Sequence, residues 1–154
     1  MKGDTTMTQL QAVRKFAAEV AEQKVIIARK RMKDNWAMCI NIFSDECRMM
    51  VPQNFNYMSD SADNLFRKDF IARFNPAQGF ANATLAILHE IGHYKTRDKI
   101  NWYADREKRI RVHGQKEYMM LESERRATDW AIQWLYSAEH RRLAKQFEKE
   151  FFGY

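Results

Sequence analysis

Apolar residues recur at helical spacing from the start of the chain. Leu10, Val13, Phe16, Ala17, Val20, Ile27 and Ala28 fall close to a 3.6-residue period with charged residues between them, and predict a helix from Thr8 to Met32. Thr8 and Gln11 spell a capping box at its start, in which each side chain satisfies a backbone donor. After Lys33-Asp34-Asn35 the pattern changes. Trp36 to Phe43 is rich in large and β-branched residues and runs into the turn-like Ser44-Asp45-Glu46, which predicts a strand. Arg48 to Val51 and Phe55 to Met58 read as further strands, with Pro52 restricted to an edge, an end or a bulge. Phe66, Phe70 and Phe74 suit both a helix stripe and one face of a strand. Leu65 to Phe74 is taken as a strand, because a sheet edge beside a cleft suits an extended substrate.

Asn75-Pro76-Ala77-Gln78 has the form of a helix start, with Asn at the cap, Pro in the first turn and Gln at the capping-box position. The helix it opens should run through Ala83, Leu85, Ala86, Ile87, Leu88 and Ile91. So continuous an apolar run belongs to a central, buried helix. Asp98 to Gly114 is highly charged and reads as a surface loop or frayed helix, with Trp102, Tyr103 and His113 as exceptions. A helix over Gln115 to Ser137 and an amphipathic one over Ala138 to Phe152, ending at Gly153, complete the chain. The 154 residues fit one domain, 1–154, of α+β class. A small, mainly antiparallel sheet packs on the N-terminal helix and the central helix, and helices follow to the C-terminus.

Hydrophobic residues at 45% and aromatics at 13% indicate a packed globule rather than a disordered chain. No apolar run approaches the ~20 residues of a membrane span, and Met1 to Leu10 is polar, so neither a span nor a secretory signal is expected and the default location is the cytoplasm. Cys39 and Cys47 flank a turn and are expected to be reduced. The net charge of +6 is spread over Arg29-Lys30-Arg31-Met32-Lys33, Lys108-Arg109-Ile110-Arg111 and Arg141-Arg142-Leu143-Ala144-Lys145. Such runs allow weak contact with nucleic acid. Acidic residues are mixed in nearby and no aromatics interleave for base stacking, which favours solvated helix faces.

The chemistry concentrates at His89-Glu90-Ile91-Gly92-His93. On a helix, two imidazoles four residues apart share a face and can grip one metal ion, while Glu90 reaches the water that the metal binds; H-E-x-x-H is the pattern of zinc-dependent hydrolases. A third ligand must come from elsewhere. Leu121, Glu124, Thr128, Ala131 and Leu135 trace one face of the Gln115–Ser137 helix, with Glu124 inside an apolar stripe. A carboxylate there costs on the order of several kcal/mol unless a cation, a metal or strong donors neutralise it. Glu124 is therefore the leading candidate, against a rotated helix in which it pairs with Arg125 or another surface base. His113 is the rival ligand, whereas His140 reads as an exposed surface residue. The metzincin continuation is excluded, because Thr96 and Lys99 stand where Gly and His would be.

Leu88-His89-Glu90-Ile91-Gly92-His93-Tyr94, followed by Glu124-Arg125-Arg126-Ala127-Thr128-Asp129-Trp130-Ala131, resembles the ImmA/IrrE family of small metallopeptidases, and more broadly the gluzincins. The resemblance covers the two motif helices. It implies a zincin-like domain in which His89, His93 and Glu124 bind zinc (Zn2+) and Glu90 is the general base. It also implies a protein substrate, since characterised relatives cleave helix-turn-helix repressors of phage, mobile-element or stress genes. One departure is Thr128, where many gluzincins carry Asp or Asn beside a ligand histidine. A weaker similarity, to SprT-like DNA-associated proteases, would make His113 the ligand. A third reading is a zincin-shaped regulatory or DNA-associated binding protein without turnover. A donor to the oxyanion is expected, and Tyr94, Tyr103, Tyr118 and His113 are the candidates.

Overall fold

The computed structural model describes residues 7–30, 39–52 and 65–154. Helix α1 (Gln9–Ala21) starts at the predicted capping box: Gln11 N donates to Thr8 Oγ1 at 3.1 Å and Thr8 N donates to Gln11 Oε1 at 2.8 Å. It buries Val13, Phe16, Ala17 and Val20. It does not continue to Met32. Glu22 turns the chain with a left-handed backbone (φ 56°), and Val25–Lys30 forms strand β1. The stiff β-branched side chains of Val25, Ile26 and Ile27 suit a pleated surface better than a helix. The fit of Ile27 and Ala28 to the helical period in the sequence was a coincidence of spacing.

Strand β3 (Cys47–Pro52) lies at the centre of a three-stranded sheet in the order β1-β3-β2. β1 runs parallel to β3, from Val25 opposite Cys47 to Lys30 opposite Pro52, and β2 (Cys39–Asn41) runs antiparallel, with Ile40 opposite Met49. The sheet is thus mixed, a correction to the mainly antiparallel expectation: only the β2–β3 hairpin is antiparallel. Of the predicted strand Trp36–Phe43, the described strand residues are Cys39–Asn41. Ile42 and Phe43 already belong to the turn, where Asn41 Oδ1 accepts from Phe43 N and Ser44 Oγ from Glu46 N. Residues 31–38, and the predicted strand Phe55–Met58, lie outside the described residues. Cys47 is a free, buried thiol.

Leu65–Arg73 is helix α2, not the predicted strand. Phe66 and Phe70, one turn apart, meet edge to face at 5.7 Å, and Phe70 is wholly buried. Arg67 ties the helix to the following turn by donating to Phe80 O, Asn82 Oδ1 and Gln78 O. Asn75–Gly79 is a separate 3-10 turn, and the central helix α3 begins later, at Asn82, and runs to Thr96. Its N-cap, Ala81, has no capping side chain. Glu148 from the last helix, α7 (Ala138–Phe152), takes that role: its Oε2 accepts from Ala81 N and from Thr84 Oγ1, both at 2.6 Å. A carboxylate at a helix N-terminus also complements the helix dipole. Leu85, Ile87, Leu88 and Ile91 are fully buried, as the apolar run predicts.

The charged stretch expected as a surface loop contains helix α4 (Trp102–Arg109), capped by Asn101 Oδ1 on Ala104 N and carrying a buried aspartate, Asp105. The helix predicted over Gln115 to Ser137 is two, α5 (Gly114–Met119) and α6 (Glu122–Leu135), broken at Met120-Leu121. α7 matches its predicted limits and ends at the left-handed Gly153. Part of one basic run is structural, since Arg141 donates to the carbonyls of Leu135 and Tyr136 at the end of α6. α3 packs most extensively on α6 and also meets α1, α7 and β2, so the motif helix runs through the core. Phe16 stacks on Phe147 at 4.5 Å and meets the edge of Trp134, joining α1, α6 and α7 beneath it. No described helix is long and apolar enough to cross a membrane.

Candidate metal centre

The helical spacing of the motif places His89 and His93 on one face of α3, their ring centroids 4.6 Å apart. α6 crosses this helix at Gly92, where an ideal Cβ would stand 2.4 Å from the carbonyl oxygen of Ala127. Only a hydrogen fits there, so the glycine sets how closely the helices approach. The stripe Leu121, Glu124, Thr128, Ala131 and Leu135 is buried throughout, and the approach brings Glu124 and Thr128 from it against the imidazoles.

Glu124 lies between the two histidines, with Oε1 3.0 Å from His89 Nε2 and Oε2 3.2 Å from His93 Nε2. The other nitrogen of His89, Nδ1, lies 2.9 Å from Thr128 Oγ1. Thr128 therefore supplies an oxygen at the inner side of the ring and orients it with Nε2 toward Glu124. On the far side, the ring of Phe66 meets His89 edge to face at 5.0 Å.

Burial lowers the His89 pKa, and its contact with Glu124 only partly offsets this, so the ring is held neutral. Burial acts the same way on His93, but the hydrogen bond to Glu124 and the charges of Glu124 and Glu90 outweigh it and raise the pKa. For Glu124, burial raises the carboxyl, and the hydrogen bonds from both histidines overcome this and hold it far below the usual carboxylate range. Glu90 is pushed up to about 7, first by burial and then by the charge of Glu124, against the pull of His93.

These donors fit a zinc ion. Two imidazole nitrogens and a carboxylate oxygen, all within 4.8 Å of one another, form the described group able to hold a metal. The carboxylate already bridges the two rings, Oε1 to His89 and Oε2 to His93, so the three side chains converge on one point without rearrangement of either helix. His89, held neutral, and Glu124, held ionised, are in the ligand states that a metal requires, and binding would displace the proton that Glu124 and Glu90 favour on His93.

A cavity of about 610 Å³ opens beside the cluster, with Glu90, His93 and Glu124 on its wall. Ile40 of β2, Ile42 and Trp102 give it an apolar side, and the exposed rings of Phe43 and Tyr103 stand at its rim. α4 closes the polar side. Arg109 Nη2 donates to Glu124 Oε2 at 3.2 Å, to Ser123 Oγ at 2.9 Å and to Asp105 Oδ2 at 3.3 Å, and Nη1 donates to the Tyr118 hydroxyl at 2.8 Å. Asp105 Oδ1 accepts from Ser123 N, which caps α6 one residue before Glu124. The base paired with Glu124 is thus Arg109, not the adjacent and exposed Arg125.

The remaining candidates separate clearly. His113 is not in the histidine-glutamate group and does not line the cavity; its backbone N donates to Glu117 Oε2 at the start of α5. Tyr94 is buried and its hydroxyl donates to Asp45 O, tying α3 to the β2–β3 turn. Tyr103 and Tyr118 both line the cavity. His140, expected at the surface, is half-buried, stacked on Trp134 at 4.2 Å with Nδ1 2.8 Å from Trp134 O. Asp105, Arg109, Ser123 and Phe66 were not read from the sequence as residues of the site. The only local trace was the four-residue spacing of Asp105 and Arg109, which any exposed helix can carry.

Comparison with protein-family models, curated proteins and solved structures found no match.

Proposed function

We propose that the protein is a zinc-dependent metallopeptidase that hydrolyses a peptide bond in a protein substrate. The observation that carries this reading is the convergence of His89, His93 and Glu124 beside a cavity faced by the carboxyl group of Glu90. His89, His93 and Glu124 would hold the zinc, which when bound supplies a Lewis acid for the scissile carbonyl and lowers the pKa of water toward ~7. Glu90 receives the proton of the attacking water and returns it to the departing amine. Thr128 keeps His89 in the orientation needed for ligation. The apolar side of the cavity would shield the scissile bond from bulk water and receive apolar side chains of the substrate. The resemblance of the two motif helices to the ImmA/IrrE family supports a helix-turn-helix repressor as substrate and the cytoplasm as place of work.

The deciding experiment is the metal content of the purified protein beside Glu124→Ala and His113→Ala, followed by cleavage assays with Glu90→Gln. Expected are about one zinc per wild-type chain, loss of zinc in Glu124→Ala but not in His113→Ala, and zinc without cleavage in Glu90→Gln. Zinc retained by Glu124→Ala would refute the ligand set. Unchanged cleavage by Glu90→Gln would refute the base. Stoichiometric zinc with no cleavage of any repressor, together with salt-sensitive DNA binding, would instead establish the non-catalytic binding protein.

A further inference from the structure

One guanidinium touches both sides of the site. The Nη2 of Arg109 reaches Glu124 and is itself held by Asp105 and Ser123, and its Nη1 reaches the Tyr118 hydroxyl. The planar fork of an arginine keeps its two nitrogens at a set distance and angle, so the position of the Glu124 carboxylate is transmitted to the phenol. The guanidinium carbon also lies over the Tyr118 ring, 4.9 Å from its centroid.

The direction of the hydrogen bond matters. Arg109 can only donate, so the phenol oxygen is the acceptor and its own proton must point elsewhere. Among the described residues no acceptor takes that proton, and Tyr118 lines the cavity with Glu90 and His93. The two other tyrosines near the site differ. Tyr94 spends its proton on Asp45 O, and Tyr103 is 78% exposed with no hydrogen bond holding its hydroxyl among the described residues. Tyr118 is the tyrosine that is both unspent as a donor and held in place.

We propose that Arg109 is a positioning residue that presents the Tyr118 hydroxyl as hydrogen-bond donor to the oxygen on which negative charge develops during peptide hydrolysis. This rests on the metallopeptidase reading above. A donor pre-aimed at developing charge stabilises the transition state more than the ground state. The fork makes Tyr118 part of the same rigid unit as the third ligand, although it stands on α5, a separate short helix.

The test uses the zinc-loaded full chain and a phosphonamidate dipeptide, whose tetrahedral phosphorus oxygens imitate the charged centre. Its affinity is measured by calorimetry for the wild type, Tyr118→Phe, Arg109→Lys and the double variant, each with its zinc stoichiometry determined. Lysine keeps the charge but cannot fork, and two buried carboxylates will hold it away from the neutral phenol. Tyr118→Phe should weaken the probe by about 100-fold, and Arg109→Lys comparably. Because both act through one proton, the double variant should be no more than about threefold weaker than Tyr118→Phe. Independent losses that multiply, or an unchanged affinity in Tyr118→Phe, would overturn the assignment while leaving the peptidase reading intact. Loss of zinc by Arg109→Lys would also overturn the assignment, since Arg109 would then serve Glu124 and not the phenol. A wild type that holds zinc but binds no phosphonamidate would overturn the peptidase reading, and this assignment with it.

Discussion

Adding one methyl group at Gly92 should damage the proposed metal centre without touching any of its proposed ligands. The Cβ of Gly92→Ala would sit 2.4 Å from Ala127 O and 3.1 Å from Ala127 Cα and carbonyl carbon, and all three are backbone atoms that cannot rotate away. Restoring an ordinary contact of about 3.5 Å requires α3 and α6 to part by about 1 Å. Overpacking of this kind costs about 1–3 kcal/mol, while alanine in a helix regains about 1 kcal/mol over glycine. The net loss of stability is therefore modest, about 0–2 kcal/mol. The effect on zinc should be larger, because His89 and His93 ride on one helix and Glu124 on the other, and zinc ligand distances tolerate only about 0.2 Å. A displacement of about 1 Å is expected to weaken zinc about 100-fold. At equal free zinc, that removes about 2.7 kcal/mol of metal-linked stabilisation. Urea unfolding with and without zinc gives the stability difference, and competition against a chelator gives the affinity. Gly92→Ala that unfolds earlier yet binds zinc within threefold of wild type would show that the crossing serves packing alone and would refute this account.

Two further expectations concern the residues around the ligands. Thr128→Val deletes the oxygen beside His89 Nδ1 and nearly keeps the volume, so zinc affinity should fall about 10- to 100-fold in a chelator competition; an unchanged affinity would mean that packing by Phe66 is enough to orient the ring. In the metal-free protein, Glu90 has its folded pKa raised from 4.5 to about 7, so the folded state holds a proton that the unfolded state has lost between those values. Its protonated form favours folding below the unfolded value, and that advantage disappears as pH rises through 7. Glu90→Gln should then leave stability unchanged at pH 4 and raise it by at most about 3 kcal/mol at pH 8. Parallel pH–stability curves for the two proteins would contradict the burial of this carboxyl.

The site was more legible in the sequence than the fold around it. His89 and His93 needed only helical spacing, and Glu124 was exposed as a carboxylate out of place by the stripe it interrupts, since burying an unpaired charge is costly whatever the fold. The α7 limits and the Thr8 capping box were readable for the same reason, because they depend on residues within one turn of each other. Where local signals failed, a distant residue supplied what the sequence seemed to offer nearby. Asn75-Pro76 looked like the start of the motif helix, but the start is at Asn82, where a carboxylate from Glu148 caps Ala81. Phe66 and Phe70 fitted helix and strand alike until core packing and the Arg67 contacts chose the helix.

The sequence by itself determined which side chains could serve as ligands and on which helix faces they lie, because the period of a helix is a local property. Tertiary structure alone decided that those faces meet, at a crossing that the hydrogen of Gly92 permits. It also turned a charged stretch that reads as surface into the Asp105–Arg109 pair behind Glu124. Charge patterns on one helix do not reveal which side is covered; only the packing of α4 against the start of α6 does.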